Sequence, residues 1–235
     1  MLPGKSDISR TLPVREGQVQ FSANGVGGSY LAQEGVYEFG VKNWGPQPIR
    51  GLMLNNSDQV LTVVAAKDSG IRTAADLKGK RVRTVSFEAE EVLKPYGVGG
   101  SRIPSSELYL AVQRGTVDAT LANISTIMGR KIYEQVKHCY KLPMTGFSIA
   151  IFFLKDKWDQ MPDKVKTAFW DAGKEFDRTY AAGINQTFYP KEFWPQIEKA
   201  GIKIFQPTKE ELKDFEEKSG PVWAWWKKEI GEEVG

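Results

Sequence analysis

The sequence predicts an α/β protein built as two similar lobes around a central cleft. Three observations lead there. A stretch occurs twice: Leu12–Asn24 reads LPVREGQVQFSAN and Leu110–Ala122 reads LAVQRGTVDATLA, so that laying Gly17 on Gly115 matches Leu12, Val14 and Val19 with Leu110, Val112 and Val117. Each copy has the form of a helix end, a glycine stop, a short strand and a polar loop, because glycine tolerates positive φ just past a helix and the β-branched run after it suits a strand. Candidate strands and helices alternate along the chain, the pattern of an α/β protein. Finally, 235 residues, 41% of them hydrophobic, can bury a substantial core. In open α/β sheets ligands bind outside the carboxyl ends of strands. The duplication therefore predicts Asn24 and its loop opposite Asn123 and its loop.

The elements follow in order. Ser6–Arg15 reads as a short helix capped by Ser6 or Asp7 and shortened by Pro13. Val19–Ala23 is a strand, Asn24–Ser29 (NGVGGS) a Gly-rich loop, and Tyr30–Phe39 a helix. After a turn at Asn43–Pro48, Ile49–Asn55 and Val60–Ala66 are two strands, the second apolar throughout as in a buried parallel sheet. Lys67–Lys80 holds a turn and a short helix with Thr73 as N-cap and Asp76 at its third position. Arg81–Val85 is a strand and Glu88–Tyr96 a helix stopped by Gly97. Ser105 or Ser106 caps a helix over Glu107–Arg114, and Val117–Leu121 is the next strand. Thr126–Val136 is a helix and Phe147–Leu154 a strand. Pro162–Ala182 is a long amphipathic helix with Val165, Phe169, Ala172 and Phe176 on one stripe, long enough to brace both lobes. Glu192–Ala200 is helical, Gly201 ends it, and Ile202–Phe205 is a strand. Lys209–Lys218 and Val222–Ile230 are closing helices, the second docked by Trp223, Trp226 and Ile230 while Trp225 points elsewhere.

Composition removes several classes of function. The net charge of +3 comes from dispersed basic residues, which argues against a nucleic-acid partner. No apolar run approaches a membrane span. One cysteine, Cys139, forbids an internal disulfide, and one histidine, His138, forbids a His-rich metal site. Together they leave little room for a catalytic triad, and His138 reads as a surface or loop residue. Glu88, Glu90 and Glu91 could suggest a metal, but acids favour a helix start, and no metal site or cofactor is predicted.

Two places carry binding chemistry. The Gly-rich loop, with Asn24, Gly28, Ser29 and Tyr30, can act as an anion cradle if a helix opens at Tyr30, or it is a plain turn. It lacks the phosphate-loop lysine and the dinucleotide glycine spacing. In the strand KRVRTV, alternation places Arg81 and Arg83 on one face. A guanidinium fork meets a carboxylate with two parallel hydrogen bonds.

The segments DSGIRTAADLKGKRVRT, SSELYLAVQRGTVDATLAN, FFLKDKWDQMPDKVKTAFWDAGKEF, EKAGIKIFQPTKEEL and PVWAWWKKEIG resemble the substrate-binding proteins of TRAP transporters, of the DctP type. The early part, LPVREGQVQFSANGVGGSYLAQEGVYEF, is closer to the TAXI-type receptors. The resemblance implies a type II periplasmic-binding-protein-like fold that closes on its ligand. It also implies a receptor, not an enzyme, that captures a small organic acid in the periplasm and delivers it to a TRAP membrane permease. It implies Arg83 as the carboxylate-binding arginine. It points to Asn123 as a ligand-binding asparagine, one residue later than the family spacing, or else a turn former.

Family members begin with a signal peptide and an earlier strand–helix unit. Neither is seen before the first repeat here, so the chain is expected to be N-terminally truncated, with an exposed edge beside Val19–Ala23. The expected division is residues 1–64 with 150–200 as lobe I, 65–149 as lobe II, and 201–235 packing across both. The competing readings are a cytoplasmic effector-binding or sensor domain of the same fold, and an enzyme with a cleft between its lobes.

Overall fold

The computed structural model describes residues 6–181 and 183–230. It divides the chain into two compact units: unit 1 is Met1–Asp58 with Phe147–Phe188, and unit 2 is Gln59–Gly146 with Tyr189–Gly235. These boundaries differ from the expected ones. Residues 201–235, expected to pack across the lobes, group with unit 2. The helix expected to brace both lobes groups with unit 1.

Unit 1 opens with α1 (Asp7–Arg15), whose N-cap Ser6 forms a reciprocal capping box with Ser9. Pro13 does not shorten the helix. It lies at the third position from the end, where its carbonyl accepts the Gln18 N–H (2.8 Å) while Gly17 donates to Val14 (3.0 Å). That is a Schellman cap, and it uses the proline carbonyl without needing its missing N–H. The strand after it, β1 (Ser22–Gly25), starts three residues later than expected. It pairs antiparallel with β6 (Val136–Leu154), from Ser22 opposite Phe152 to Gly25 opposite Ile149.

The predicted Gly-rich loop is not a loop. Helix α2 (Val26–Glu34) starts directly after β1 with Gly25 as N-cap, so Gly28, Ser29 and Tyr30 lie within it. A Cβ on Gly28 would overlap the Asp7 carboxylate. The glycine therefore serves the close approach of α1 to α2, not a tight turn. A short helix, α3 (Glu38–Val41), follows. Phe39, Phe152 and Phe153 are fully buried, and Phe153 packs on Phe21 and Phe169 with centroids 4.2 and 5.4 Å apart.

Two pairs of expected elements are single ones. Ile49–Asn55 and Val60–Ala66 are parts of one strand, β2 (Ile49–Ala66). Lys209–Lys218 and Val222–Ile230 merge into one helix spanning Pro221. In unit 2 the end of β2 pairs antiparallel, not parallel, with β5 (Ala119–Ala122), from Thr62 opposite Ala122 to Ala65 opposite Ala119. β3 (Arg81–Thr84) lies parallel between β5 and β4 (Gly99–Arg102). β7 (Lys203–Phe205) runs parallel to β6 at His138–Tyr140. Val82 and Leu121 on one face and Arg83 and Thr120 on the other are all buried, so the sheet is covered on both faces where β3 crosses it.

Helix α4 (Phe87–Leu93) is capped by Ser86. Helix α5 (Leu108–Gln113) has no side-chain cap, so neither Ser105 nor Ser106 plays the role expected of it. Its other end repeats the first unit's cap: Thr116 donates to Ala111 (2.9 Å) and Gly115 to Val112 (3.1 Å), with φ of 66° at Gly115 and 72° at Gly17. Helix α6 (Ile124–Gly129) begins at Asn123 and stops short of the expected Val136. Between β2 and β3, Thr73 is not a cap. Instead the Asp76 carboxylate accepts the backbone N–H groups of Arg72 (3.0 Å) and Thr73 (2.9 Å).

Beyond β6, α7 (Lys155–Asp159) and α8 (Asp163–Phe176) belong to unit 1. The inward stripe of α8 is Lys166, Phe169, Gly173 and Phe176, while Val165 and Ala172 are exposed. The chain then widens into π-helical turns over Asp177–Ala181 and Ile184–Phe193; Ala182 lies outside the described residues. Helix α9 (Trp194–Lys199) and the last helix, α10 (Lys209–Ile230), complete unit 2. Trp223 is 63% exposed, and Trp225 and Trp226 are half-buried. The expected docking face is thus rotated toward Trp225, and the side chain of Ile230 lies outside the described residues. Lys218 of α10 sits over the Tyr96 ring, 4.7 Å from its centroid.

Three glycines separate two kinds of strain. At Gly17 and Gly115 φ is positive but nothing lies within 4 Å of an added Cβ, whereas at Gly35 φ is 68° and the Cβ would overlap the Gly45–Pro46 backbone. Gly17→Ala and Gly115→Ala should each cost about 1–2 kcal/mol. Gly35→Ala should cost roughly 2–5 kcal/mol, because overpacking adds to the left-handed strain. Urea unfolding measures all three, and equal losses would contradict the distinction.

Candidate functional site

Arg83 is the most deeply buried cation among the described residues, at 2% exposure. It projects from the middle strand of a three-strand parallel array, where β4 and β5 flank its backbone. Its guanidinium is held by neutral acceptors. Nε donates to the Ile103 carbonyl (2.8 Å), Nη1 to the Leu121 carbonyl (3.3 Å) and Nη2 to Ser105 Oγ (2.9 Å). A guanidinium has five N–H donors, so one remains on each terminal nitrogen. No ion pair involves Arg83 among the described residues. Burial, and then the charge of Arg130, pull its pKa down to about 10. It is a buried cation with a second cation near it and no anion to neutralise it.

Arg81 has a different fate on the same strand face. It lies at the strand's start, its side chain is 56% exposed, and it pairs with Asp118 at 3.3 Å. Its Nη2 also donates to the Gly115 carbonyl (2.7 Å). It thus ties β3 to the turn before β5.

Asn123 is buried at the end of β5, two residues past the Leu121 carbonyl that Arg83 holds. Its Oδ1 accepts the Thr126 N–H (2.8 Å) and the Ser125 hydroxyl (3.1 Å), so that oxygen is committed to capping α6. Arg83 and Asn123 therefore belong to one region of unit 2. Three residues missed at the sequence level adjoin it. Ser125, Thr126 and Arg130, with Gly129, line a depression of about 420 Å³ on α6. The N-cap Asn followed by hydroxyl residues was a visible signal for it. The role of Ser105 as an acceptor for Arg83 had no local signal.

Asn24, Gly28, Ser29 and Tyr30 fall in unit 1. The anion cradle expected of them is not formed. The Ser29 hydroxyl bonds back to the Gly25 carbonyl (3.1 Å), and the Asp7 carboxylate lies where a Gly28 side chain would be. Tyr30 is half-buried; burial, then the charge of Glu34, raise its phenol pKa. Asn24 is 2% exposed, and its Oδ1 accepts the Gly25 N–H (3.0 Å) and Arg10 Nη1 (3.3 Å).

His138 is half-buried rather than on the surface, with its ring edge-on to Phe205. Burial, then the charges of Arg72 and Lys203, lower its pKa. Its neighbour Cys139 is buried and unpaired, and burial raises its thiol. Among the described residues no three His, Cys, Asp or Glu side chains converge as metal ligands, and no helix is long and apolar enough to cross a membrane.

Two α/β units, one of them carrying a buried unneutralised arginine near a strand's carboxyl end, are the frame of a solute-binding protein. The chain belongs to the bacterial extracellular solute-binding protein family 7, the DctP family, whose model matches residues 47–229. It is similar to a solute-binding protein of Verminephrobacter eiseniae, 29% identical over 120 residues, covering 49% of this chain and 35% of that one. It is also similar to the C4-dicarboxylate-binding periplasmic protein DctP of Rhodobacter capsulatus, 28% identical over 160 residues, covering 68% of this chain and 48% of that one. The matches thus span between a third and a half of these relatives' lengths. Its fold matches the crystal structure of a TRAP periplasmic solute-binding protein from Desulfovibrio salexigens with bound orotic acid. The TM-score there is 0.80 at 19% identity, covering 96% of this chain and 79% of the other.

The bond network around Asp118 can be checked by pH. Burial pushes its carboxyl up, but the backbone N–H of Arg81 (2.8 Å), the Arg81 side chain and the charge of Lys80 together hold it below its ordinary value. A carboxyl depressed on folding stabilises the protein above its unfolded pKa of about 3.9, and that contribution is lost as pH falls through the folded pKa. Asp118→Asn should cost about 1–2 kcal/mol at pH 7. The gap between wild type and variant should narrow as pH falls below the unfolded pKa of about 3.9. A gap that stays the same there in urea unfolding would contradict it.

Proposed function

We propose that the chain is the solute receptor of a TRAP-type transporter, working outside the cytoplasm and handing a small organic acid to a membrane permease. The observation that carries this reading is Arg83. A buried charge is costly unless paired, and neutral acceptors satisfy three of its donors without neutralising it. The two remaining N–H groups, one on each terminal nitrogen, are the pair that a carboxylate accepts in a bidentate contact. A carboxylate there would supply the missing charge, relieve the repulsion from Arg130 and raise the guanidinium pKa.

Family membership supports the receptor class. The dicarboxylate named for the Rhodobacter capsulatus relative and the orotic acid bound to the Desulfovibrio salexigens protein are both carboxylates. Arg83 is covered in this structure, so the solute reaches it only after its surroundings move. Asn123 then acts by fixing the start of α6 beside that arginine. The work is binding, without turnover of the solute.

Thermal-shift screening of carboxylates, sugar acids and amino acids finds the solute. Arg83→Lys keeps the charge but loses the planar fork, and a charge-assisted bond of about 1.5–3 kcal/mol makes the expected loss about tenfold or more. Unchanged carboxylate affinity by calorimetry in a folded Arg83→Ala variant would refute the assignment. The solute recovered after prolonged incubation should be chemically intact by mass spectrometry; a product that accumulates with time would make the chain an enzyme.

A further inference from the structure

We propose that Arg130 is a specificity-determining residue of unit 2. It reads a second negative charge on the solute, so the receptor takes a small dianionic acid in preference to a monoanion of the same size. The proposal rests on the receptor reading, in which Arg83 holds one carboxylate, and adds to it the number of charges that the solute carries.

The starting observation is the depression of about 420 Å³ lined by Ser125, Thr126, Gly129 and Arg130. That lining has a cation, two hydroxyl groups and no carboxylate. The spacing explains the convergence. Ser125 and Gly129 lie four residues apart, as do Thr126 and Arg130, so the four positions adjoin on one side of α6. Gly129 leaves the place open, because a Cβ there would meet nothing within 4 Å. Asn123 links the depression to the buried arginine. Its Oδ1 accepts the Ser125 hydroxyl (3.1 Å) and the Thr126 N–H (2.8 Å). Two residues earlier, the Leu121 carbonyl accepts Arg83 Nη1 (3.3 Å).

Arg130 ties no elements together. It is exposed, and among the described residues its guanidinium has no ion pair and no hydrogen bond. By contrast, Arg81 pairs with Asp118 and Arg178 with Glu175. Arg130 also works against the fold, because its charge adds to burial in pulling down the pKa of Arg83. A glutamine at this position would remove the repulsion, and a glutamate would attract Arg83 instead. The cation becomes favourable only when negative charge arrives. One carboxylate satisfies the two free N–H groups of Arg83. A second acidic group then has Arg130, with its own planar fork, and the Thr126 hydroxyl to meet it. Coulomb attraction grows with the product of the charges, so a pair of arginines separates dianions from monoanions more sharply than Arg83 alone.

The test is calorimetry on the full chain with two matched pairs of probes: succinate against butyrate, and D-glucarate against D-gluconate. Wild type should prefer the dianion of the pair it binds by about fivefold or more. Arg130→Gln should weaken that dianion by about fivefold while leaving the monoanion within about twofold. Arg130→Lys should keep most of the preference. Without solute, Arg130→Gln should not lower the melting temperature, which a structural role for this side chain would require. Raising the salt from about 0.01 to 1 M should erode the preference in wild type but not in Arg130→Gln. A wild-type protein that binds both members of a pair equally overturns the inference. So does a folded Arg130→Gln protein that weakens both members alike or neither. If Arg83→Gln weakens both members while Arg130→Gln changes neither, the inference fails and the receptor reading stands. If wild type binds none of the four probes, both fall.

Discussion

A buried guanidinium without a counter-charge is the constraint around which unit 2 is arranged. Arg83 can be buried only because three neutral oxygens meet it at once, and each is delivered by a different piece of chain. The Ile103 carbonyl comes from the segment after β4, Ser105 from the approach to α5, and the Leu121 carbonyl from the end of β5. β3 must therefore lie between β4 and β5, as it does. Arg81, two residues earlier, clamps the same strand to Asp118 and to the turn carbonyl of Gly115. The electrostatic demand that remains is the protein's most specific chemical statement. The neighbouring charge is another arginine, Arg130, so the local field favours an anion rather than merely tolerating one.

The position of β5 depends in turn on the duplicated cap. Gly17 and Gly115 share positive φ and the same two hydrogen bonds back into the preceding helix. A Schellman cap sets the angle at which the chain leaves its helix. Repeating it repeats the delivery of a strand, and then of a polar residue at that strand's end. In unit 2 that residue is Asn123, which caps the following helix. In unit 1 it is Asn24, whose oxygen is held by Arg10 while α2 starts uncapped at Gly25. One local device, used twice, thus sets two buried asparagines at strand ends with different hydrogen-bond outcomes.

What was legible in the sequence is what neighbouring residues decide. Ser6 as a cap, the glycine stops at Gly97, Gly115 and Gly201, and β3 with an inward Arg83 all rest on short-range sterics or on alternation. What was not legible depends on partners far along the chain. Ser105 looks like a helix cap, but Arg83, 22 residues earlier in the chain, claims its hydroxyl. NGVGGS looks like a loop, but α1 packs on it closely enough that Gly28 is needed inside a helix. Val60–Ala66 is equally apolar in a parallel or an antiparallel sheet, so periodicity could not reveal its pairing with β5. Pro13 and Pro221 are read as breaks by propensity alone, yet one falls where its carbonyl completes a cap and the other is carried within α10. The family resemblance pointed to Arg83 but not to what surrounds it. Ser125 and Thr126 follow a visible cap asparagine, whereas Arg130 and Arg10 emerge only from the structure.

The most direct test of the central claim is a crystal structure of the protein soaked or grown with its tightest carboxylate. The account predicts one carboxylate bridging Nη1 and Nη2 of Arg83, both oxygens within about 3 Å, with the bonds to Ile103, Leu121 and Ser105 retained. A bound carboxylate that leaves Arg83 contacted only by protein oxygens would contradict it and make this arginine a structural tie between strands.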